Sequence, residues 1–424
     1  MKEGSIQMKE DILLIAHFCS DFDGKGNNRF NYLAELLANN KLNVELVTSN
    51  FSHNTKKKRE ENISGSLNYK VTFIEEPIYK KNVSLKRFYS HYMMAINLKK
   101  YLQSRRKPSV IYCAVPSLDV AYTVAKYAKK NSIKFIIDIQ DIWPEAFKMV
   151  FNVPVISDMV FYPMERQARY IYKLADEIVS VSKTYSNKAI AVNTKTTKGN
   201  VVFLGTDLNE FDKMFNNYRY QNKPVDEIWI AYAGTLGHSY DLTIVFDALK
   251  SLMDKGINNF KFIVMGDGPL KEKFEAYSRE NGVNVLFTGR LPYAEMVGLL
   301  GVCDIAVNPI SHGAAASIIN KHGDYAAAGL PVLNTQECQE YRILVDYYQM
   351  GINCNNNDSK DLEEKLLLLL NNSQLRIQMG KNSRRLAEEK FDRKKTYKVI
   401  MDLLQGKTQM DEHKGDKDEN FNAI

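Results

Sequence analysis

The chain has little cysteine, little tryptophan and no long apolar run: five Cys and two Trp stand among 424 residues. Cys19, Cys113, Cys303, Cys338 and Cys354 are odd in number, scattered and free of any Cys-x-x-Cys spacing. That pattern fits a reducing compartment and excludes a disulfide framework and a zinc site. The longest apolar stretches, such as Ile12 to Ala16 and Leu366 to Leu370, fall far short of the roughly 18 residues that a membrane span needs. The N-terminus mixes Lys2, Glu3, Lys9, Glu10 and Asp11 and shows no small-residue cleavage site, so no signal peptide is read and a cytoplasmic protein is expected. No fixed-period repeat occurs, which excludes a solenoid. What is present is 45% apolar and 25% charged, enough to bury a sizeable core in two or three domains.

Acidic residues are missing from one region in particular. Residues 1–210 carry 31 basic and 21 acidic side chains (+10), whereas residues 211–424 carry 26 and 29 (−3). Between Lys80 and Lys107 there are nine Lys/Arg and no Asp or Glu. Leu85, Phe88, Tyr89, Tyr92, Met93 and Ile96 recur there at helical spacing, which predicts a basic helix with an aromatic stripe. Such a surface suits anionic lipid headgroups at the inner face of the cytoplasmic membrane, although the same stripe would also serve to pack the helix on a core. Phosphate contacts with nucleic acid need no more than this charge, but no recognition motif accompanies it, and no nucleic-acid partner is expected.

Strand-like and helix-like segments alternate almost throughout, the signature of doubly wound α/β domains with parallel sheets. Seven candidate strands (12–16, 43–48, 71–74, 109–113, 134–138, 178–182, 201–204) precede five more (228–233, 261–265, 284–287, 304–308, 331–333). Residues 205–226 are polar without a clear period and read as a linker. The expected division is a first domain over 1–207, a second over 208–390, a helix over 391–405 and a disordered tail over 406–424.

Several loops after strands carry candidate chemistry. Gly24 and Gly26 lie between the first strand and a helix, where backbone amides can meet a phosphate; an ordinary tight turn reads equally well. Asp21 and Asp23 nearby read as turn formers rather than as a cation site. The segment Asp138-Ile139-Gln140-Asp141-Ile142-Trp143-Pro144-Glu145 follows a strand at a sheet's carboxyl end, where α/β proteins bind ligands. Asp138, Asp141 and Glu145 are candidates there, and Trp143 suits a sugar face or a core. The loop Gly234-Thr235-Leu236-Gly237-His238 repeats the strand-to-glycine pattern, with His238 a secondary candidate. The small residues from Gly313 to Ser317, followed by Asn320, Lys321 and Asp324, form the fullest pattern. Lys321 and Asp324 sit three apart on a helix, a lysine to hold a diphosphate and a carboxylate to accept ribose hydroxyls, although an exposed ion pair would use the same spacing.

In order, the Gly24–Gly26 loop, DIQDIWPE, SVSKTYSN (Ser180 to Asn187), YAGTLG, MGDGP, FTGRLPYAEM (Phe287 to Met296) and NKHGDYAAAGLPVLN resemble the family-four, retaining, GT-B type glycosyltransferases of bacterial surface polysaccharide synthesis. The resemblance implies two facing Rossmann-like domains, with a last helix crossing back to the first. It also implies a nucleotide sugar, UDP-linked, held mainly by the second domain, and a lipid-linked glycan as acceptor. Donor contacts would come from Gly24, Gly26, Gly234, Thr235, Gly237, Arg290, Ser317, Asn320 and Asp324, catalysis from Asp141 and Lys321, and neither metal nor cofactor is expected. Two departures stand out. Ala316 occupies the place of a glutamate that often faces the donor sugar, and Thr235 and Tyr240 occupy the places of a phosphate-clamping Arg and Lys. A sugar-nucleotide 2-epimerase of the same fold and a non-catalytic nucleotide-sugar scaffold are the rival readings.

Overall fold

The computed structural model describes residues 11–20, 22, 28–53, 55–59, 67–81, 84–148, 156–314 and 317–407. Its strands are β1 (Asp11–Ile15), β2 (Asn43–Ser49), β3 (Phe51–Ser52), β4 (Lys57–Lys58), β5 (Lys70–Ile74), β6 (Val110–Val115), β7 (Lys134–Ile139), β8 (Glu177–Ser180) and β9 (Asn200–Val201) in the first half. The second half adds β10 (Ile228–Ala233), β11 (Phe260–Met265), β12 (Val285–Gly289), β13 (Ile305–Asn308), β14 (Val332–Asn334) and β15 (Gly351–Asn353). One sheet runs β5-β2-β1-β6-β7-β8-β9 and another β12-β11-β10-β13-β14-β15, with β3 and β4 apart. Pairing within both large sheets is parallel.

Parallel strands covered by helices on both faces need apolar side chains at every position rather than at alternate ones. All of VIYCAV in β6 is buried, and so is all but the first residue of IWIAYA in β10. On one face of the first sheet, Leu13 and Ile15 meet the helices Leu85–Ser104, Leu118–Asn131 and Ile156–Leu174. On the other, Ile12 and Leu14 meet Phe30, Leu33 and Leu37 of the helix Arg29–Asn39. Tyr397, Ile400 and Leu404, from the end of the described chain, join that same cluster. The expected crossing back is thus made by two short helices, Arg393–Thr396 and Lys398–Leu404, and each large apolar side chain it buries contributes about 1.5–3 kcal/mol.

The two passes between domains run side by side. Thr206 N–H donates to the Phe391 carbonyl (2.8 Å) and Arg393 N–H to the Thr206 carbonyl (3.1 Å). Gly205 has φ +61°, and a Cβ there would lie 2.3 Å from the Phe391 carbonyl oxygen, so no other residue fits without displacing the second pass.

Strand order reverses at β1, between β2 and β6, and again at β10, between β11 and β13. Crevices at such switch points are where ligands enter α/β sheets. Three readings needed correction. The 205–226 linker contains a helix, Leu208–Tyr218, whose Leu208 and Phe211 are buried against the second domain. Among the described residues, β15 and the β3–β4 ladder were not anticipated. The aromatic stripe of the basic helix does not face the core: Met94, Ala95, Leu98 and Leu102 do, while Leu85 is 87% exposed, Tyr89 58% and Tyr92 56%. The tail from residue 408 onward lies outside the described residues.

Candidate functional site

The second-domain side is built where β10 ends. Gly234 takes φ +149°, and its N–H donates to the Met265 carbonyl (2.9 Å). The loop that follows is pinned from below: Tyr240 bridges to Ile310, and Asp241 N–H donates to the Pro309 carbonyl (3.0 Å). Thr235 and His238 are exposed on it, Gly237 is half-buried, and the His238 carbonyl accepts from the Ser311 hydroxyl (3.0 Å).

Lys321 rises toward this turn from the helix Asn320–Ala327. Its Nζ stands 4.0 Å from the centre of the Tyr232 ring and 3.9 Å from that of Tyr240, and a Cβ on Gly234 would lie 2.9 Å from it. The residue is buried, and Nζ has no hydrogen-bond partner among the described residues. Burial holds its pKa well below the ordinary lysine value. His322 beside it is also buried, stacked on Tyr341 with ring centres 3.5 Å apart and 3.0 Å from the Asn308 amide. Burial holds its pKa well below the ordinary histidine value, so its imidazole is neutral.

Lys321 and Asp324 do not converge on one point, as their spacing suggested. Asp324 turns to the interdomain passes, accepting hydrogen bonds from the Thr206 hydroxyl (3.1 Å) and the Tyr293 phenol (2.7 Å). Asn320 opens the helix on the crevice side, Ser317 is buried with its carbonyl accepting from Gln336, and Arg290 is exposed after β12. Gly24, Gly26 and Ala316 lie outside the described residues.

On the first-domain side, two expectations do not fit the placement. Asp138 is fully buried and forms a two-pronged ion pair with Arg29 (2.7 and 3.0 Å), so it cannot reach an acceptor. Arg29 also donates to the Val202 carbonyl and the Tyr397 hydroxyl, tying β7 to the returning helices. Trp143 is 6% exposed and stacks on His91 (5.8 Å, 11°) with Phe147 at its edge, so its face meets protein and not sugar. Glu145 pairs with Lys188. Asp141 is half-buried: it accepts from Ile142 N–H (2.9 Å) and the Trp143 indole (3.3 Å), and burial raises its pKa. Beneath it, His17 joins Ser117 (2.9 Å) to Glu76 (2.8 Å) in a buried relay. With His91, His17 and Glu76 form the one set of side chains among the described residues close enough to share a cation, but both His17 ring nitrogens already have partners.

The sides meet across a cavity of about 130 Å³ that Phe18, Asn28, His53 and Gln140 share with Asn320 and Arg393. Lys183 N–H donates to the Glu340 carboxylate (3.0 Å), linking the domains, and Tyr185 stands near both Asp141 and Ser317. Sequence reasoning did not single out Tyr185, Thr206, Tyr232 or Tyr293. Tyr185, Tyr232 and Tyr293 stood inside the quoted motifs SVSKTYSN, YAGTLG and FTGRLPYAEM, which was the available signal.

Two Rossmann-like domains with a returning C-terminal end and a crevice between two switch points constitute the GT-B fold. Known proteins extend this. Residues 215–386 match the family model described as glycosyl transferases group 1. The uncharacterized glycosyltransferase MJ1178 of Methanocaldococcus jannaschii is 25% identical over 238 residues, 55% of this chain and 62% of that protein. The chain therefore spans about three fifths of the length of this curated relative. Sucrose-phosphate synthase from Thermosynechococcus elongatus superposes with a TM-score of 0.72 at 15% identity, covering 94% of this chain and 99% of that one. Anabaena HepE, solved in complex with UDP-glucose, superposes at 0.66 with 14% identity, covering 93% and 99%. These findings show the GT-B fold and, over residues 215–386, a likeness to glycosyl transferases group 1.

Proposed function

We propose that the protein is a retaining glycosyltransferase that moves a sugar from a nucleoside diphosphate, UDP in the first instance, onto a lipid-linked glycan of bacterial surface polysaccharide synthesis. The observation that carries this reading is the buried, unpartnered Lys321 amine at the Gly234 turn. A departing diphosphate gains negative charge, and a preorganised cation with loop amides in a water-poor site stabilises it more than water does. Amides of Gly234, Thr235 and Gly237 would share that charge, Gly24 and Gly26 would add theirs from the first domain's loop, and no resident metal is invoked. Asp324 would exchange its Thr206 or Tyr293 partner for ribose hydroxyls, with Asn320, Ser317 and Arg290 around the nucleotide. Asp141 would orient the acceptor hydroxyl; the exposed His238 on the second-domain loop and Glu145, paired with Lys188, would be secondary contacts to the acceptor or the sugar.

The acceptor's lipid places the reaction at a membrane, on the cytoplasmic side. Among the described residues no helix is long and apolar enough to cross one. Attachment would instead use the outward stripe Leu85, Phe88, Tyr89 and Tyr92 with the lysines from Lys80 to Lys107, beside the exposed Met159, Val160 and Tyr162. Incubation with a panel of UDP-sugars, with and without a lipid-linked acceptor from membrane extract, tests the reaction. Transfer that requires acceptor and falls about 10²-fold or more in Lys321→Ala is expected. Epimerised sugar nucleotide without acceptor, or normal turnover in the variant, would sink the reading.

A further inference from the structure

Lys321 is unusual less for its position than for what surrounds it. Tyr232 on β10 and Tyr240 on the following loop present ring faces to Nζ from two sides, and the Gly234 backbone closes a third. Both phenols are pushed up by burial and stay neutral. His322, next in the helix, is neutral and committed to Asn308 and Tyr341. Asp324, one turn on, is bonded to Thr206 and Tyr293. Burial alone sets the amine's electrostatics, with no acid contributing among the described residues. An ammonium there would have lost its water and gained neither a counter-ion nor a hydrogen-bond acceptor. Attraction from two ring faces offsets only part of that loss.

We infer that Lys321 is a neutral amine in the ligand-free protein and becomes an ammonium as the donor's diphosphate arrives, taking one proton from solvent. This rests on the donor-site reading above and adds to it. The cage keeps the site free of a resident positive charge, which would otherwise hold a solution anion, and creates that charge only beside a phosphate. The tyrosines are positioning residues for Lys321. Because UDP-sugar phosphates remain ionised at neutral pH, the proton has nowhere else on the ligand to go. Affinity should therefore tighten as pH falls, by up to about tenfold per pH unit between the amine's free and bound pKa values.

The test is carbon NMR of the full chain carrying lysine labelled at Cε, with the Lys321 signal assigned by its loss in Lys321→Met, or in Lys321→Gln should the first fold poorly. At about pH 7.5 the ligand-free protein should show this signal at the neutral-amine position. UDP-glucose, then UDP, GDP and dTDP, should move it to the ammonium position. Calorimetry with UDP-glucose in buffers of different ionisation heat should read close to one proton taken up. Tyr240→Leu, which opens the cage to water, should show an ammonium before any ligand is added, while Tyr240→Phe should not. An ammonium signal in the ligand-free wild type together with nucleotide binding would overturn this inference and leave the donor site standing. A neutral signal that none of the nucleotides moves would overturn both.

Discussion

Arg29 in the first domain and Lys321 in the second are long basic side chains buried near the crevice, and the two are treated in opposite ways. Arg29 in the first domain is answered by Asp138, two backbone carbonyls and a tyrosine hydroxyl. Lys321 in the second is answered, among the described residues, by nothing but ring faces. A buried charge whose partners all come from its own fold holds that fold together, and here it fastens the returning helices to β7. An amine buried without a partner does not keep a charge in the empty state and, on the inference above, takes one up only when an anion is supplied from outside. The paired residue is thus architecture, and the unpaired one is the proposed donor site.

Breaking the pair should have the largest effect on stability. Asp138→Asn leaves Arg29 charged in a closed interior and should cost about 3–5 kcal/mol in urea unfolding; a loss under about 1 kcal/mol would show that the two cations are not so different. Lys321→Met should move stability the other way, raising it by about 1–3 kcal/mol because an unsatisfied buried polar group is removed, while donor binding is lost. The sign also shows in pH dependence. Lys321 has a folded pKa below its unfolded value of about 10.5, so the unfolded chain binds the extra proton and wild-type stability rises with pH between the two values. That slope should vanish in Lys321→Met. Tyr293→Phe, which removes one of the two hydroxyls on Asp324, should lower stability by about 1 kcal/mol and alter nucleotide affinity in calorimetry more than any distant surface change does. The smallest stability effect belongs to the outward stripe. Leu85→Ser with Tyr89→Ser and Tyr92→Ser should shift unfolding by no more than about 0.5 kcal/mol per site, yet reduce sedimentation with anionic vesicles about tenfold or more.

Much of this was legible in the amino-acid order, and the rest was hidden for identifiable reasons. Buried parallel strands such as VIYCAV and IWIAYA announce themselves because every position must be apolar. The three residues of β15, Gly351-Ile352-Asn353, contain one apolar side chain and announce nothing. The helix Leu208–Tyr218 carried its apolar set at Leu208, Phe211 and Phe215, helical spacing that its polar majority masked. Asp138 could be placed at a strand end, but its partner Arg29 lies 109 residues away, and only the folded chain brings them together. Trp143 was ambiguous for the same reason, since His91 and Phe18 reach it from other elements. Lys321 was found by its neighbours in sequence; the tyrosine faces that make it a caged amine come from residues 81 to 89 positions earlier, and no spacing rule encodes them.

The polypeptide travels between its lobes twice, at Gly205–Thr206 and again at Phe391–Arg393, and the two spans are stitched to each other. A doubled strap of that kind permits swinging about its own line but resists sideways shear, so whatever opening admits a substrate returns the same facing surfaces to the same register. Asp324 grips that strap through Thr206, so a ribose held there, as proposed above, would share one carboxylate with the axle of the swing.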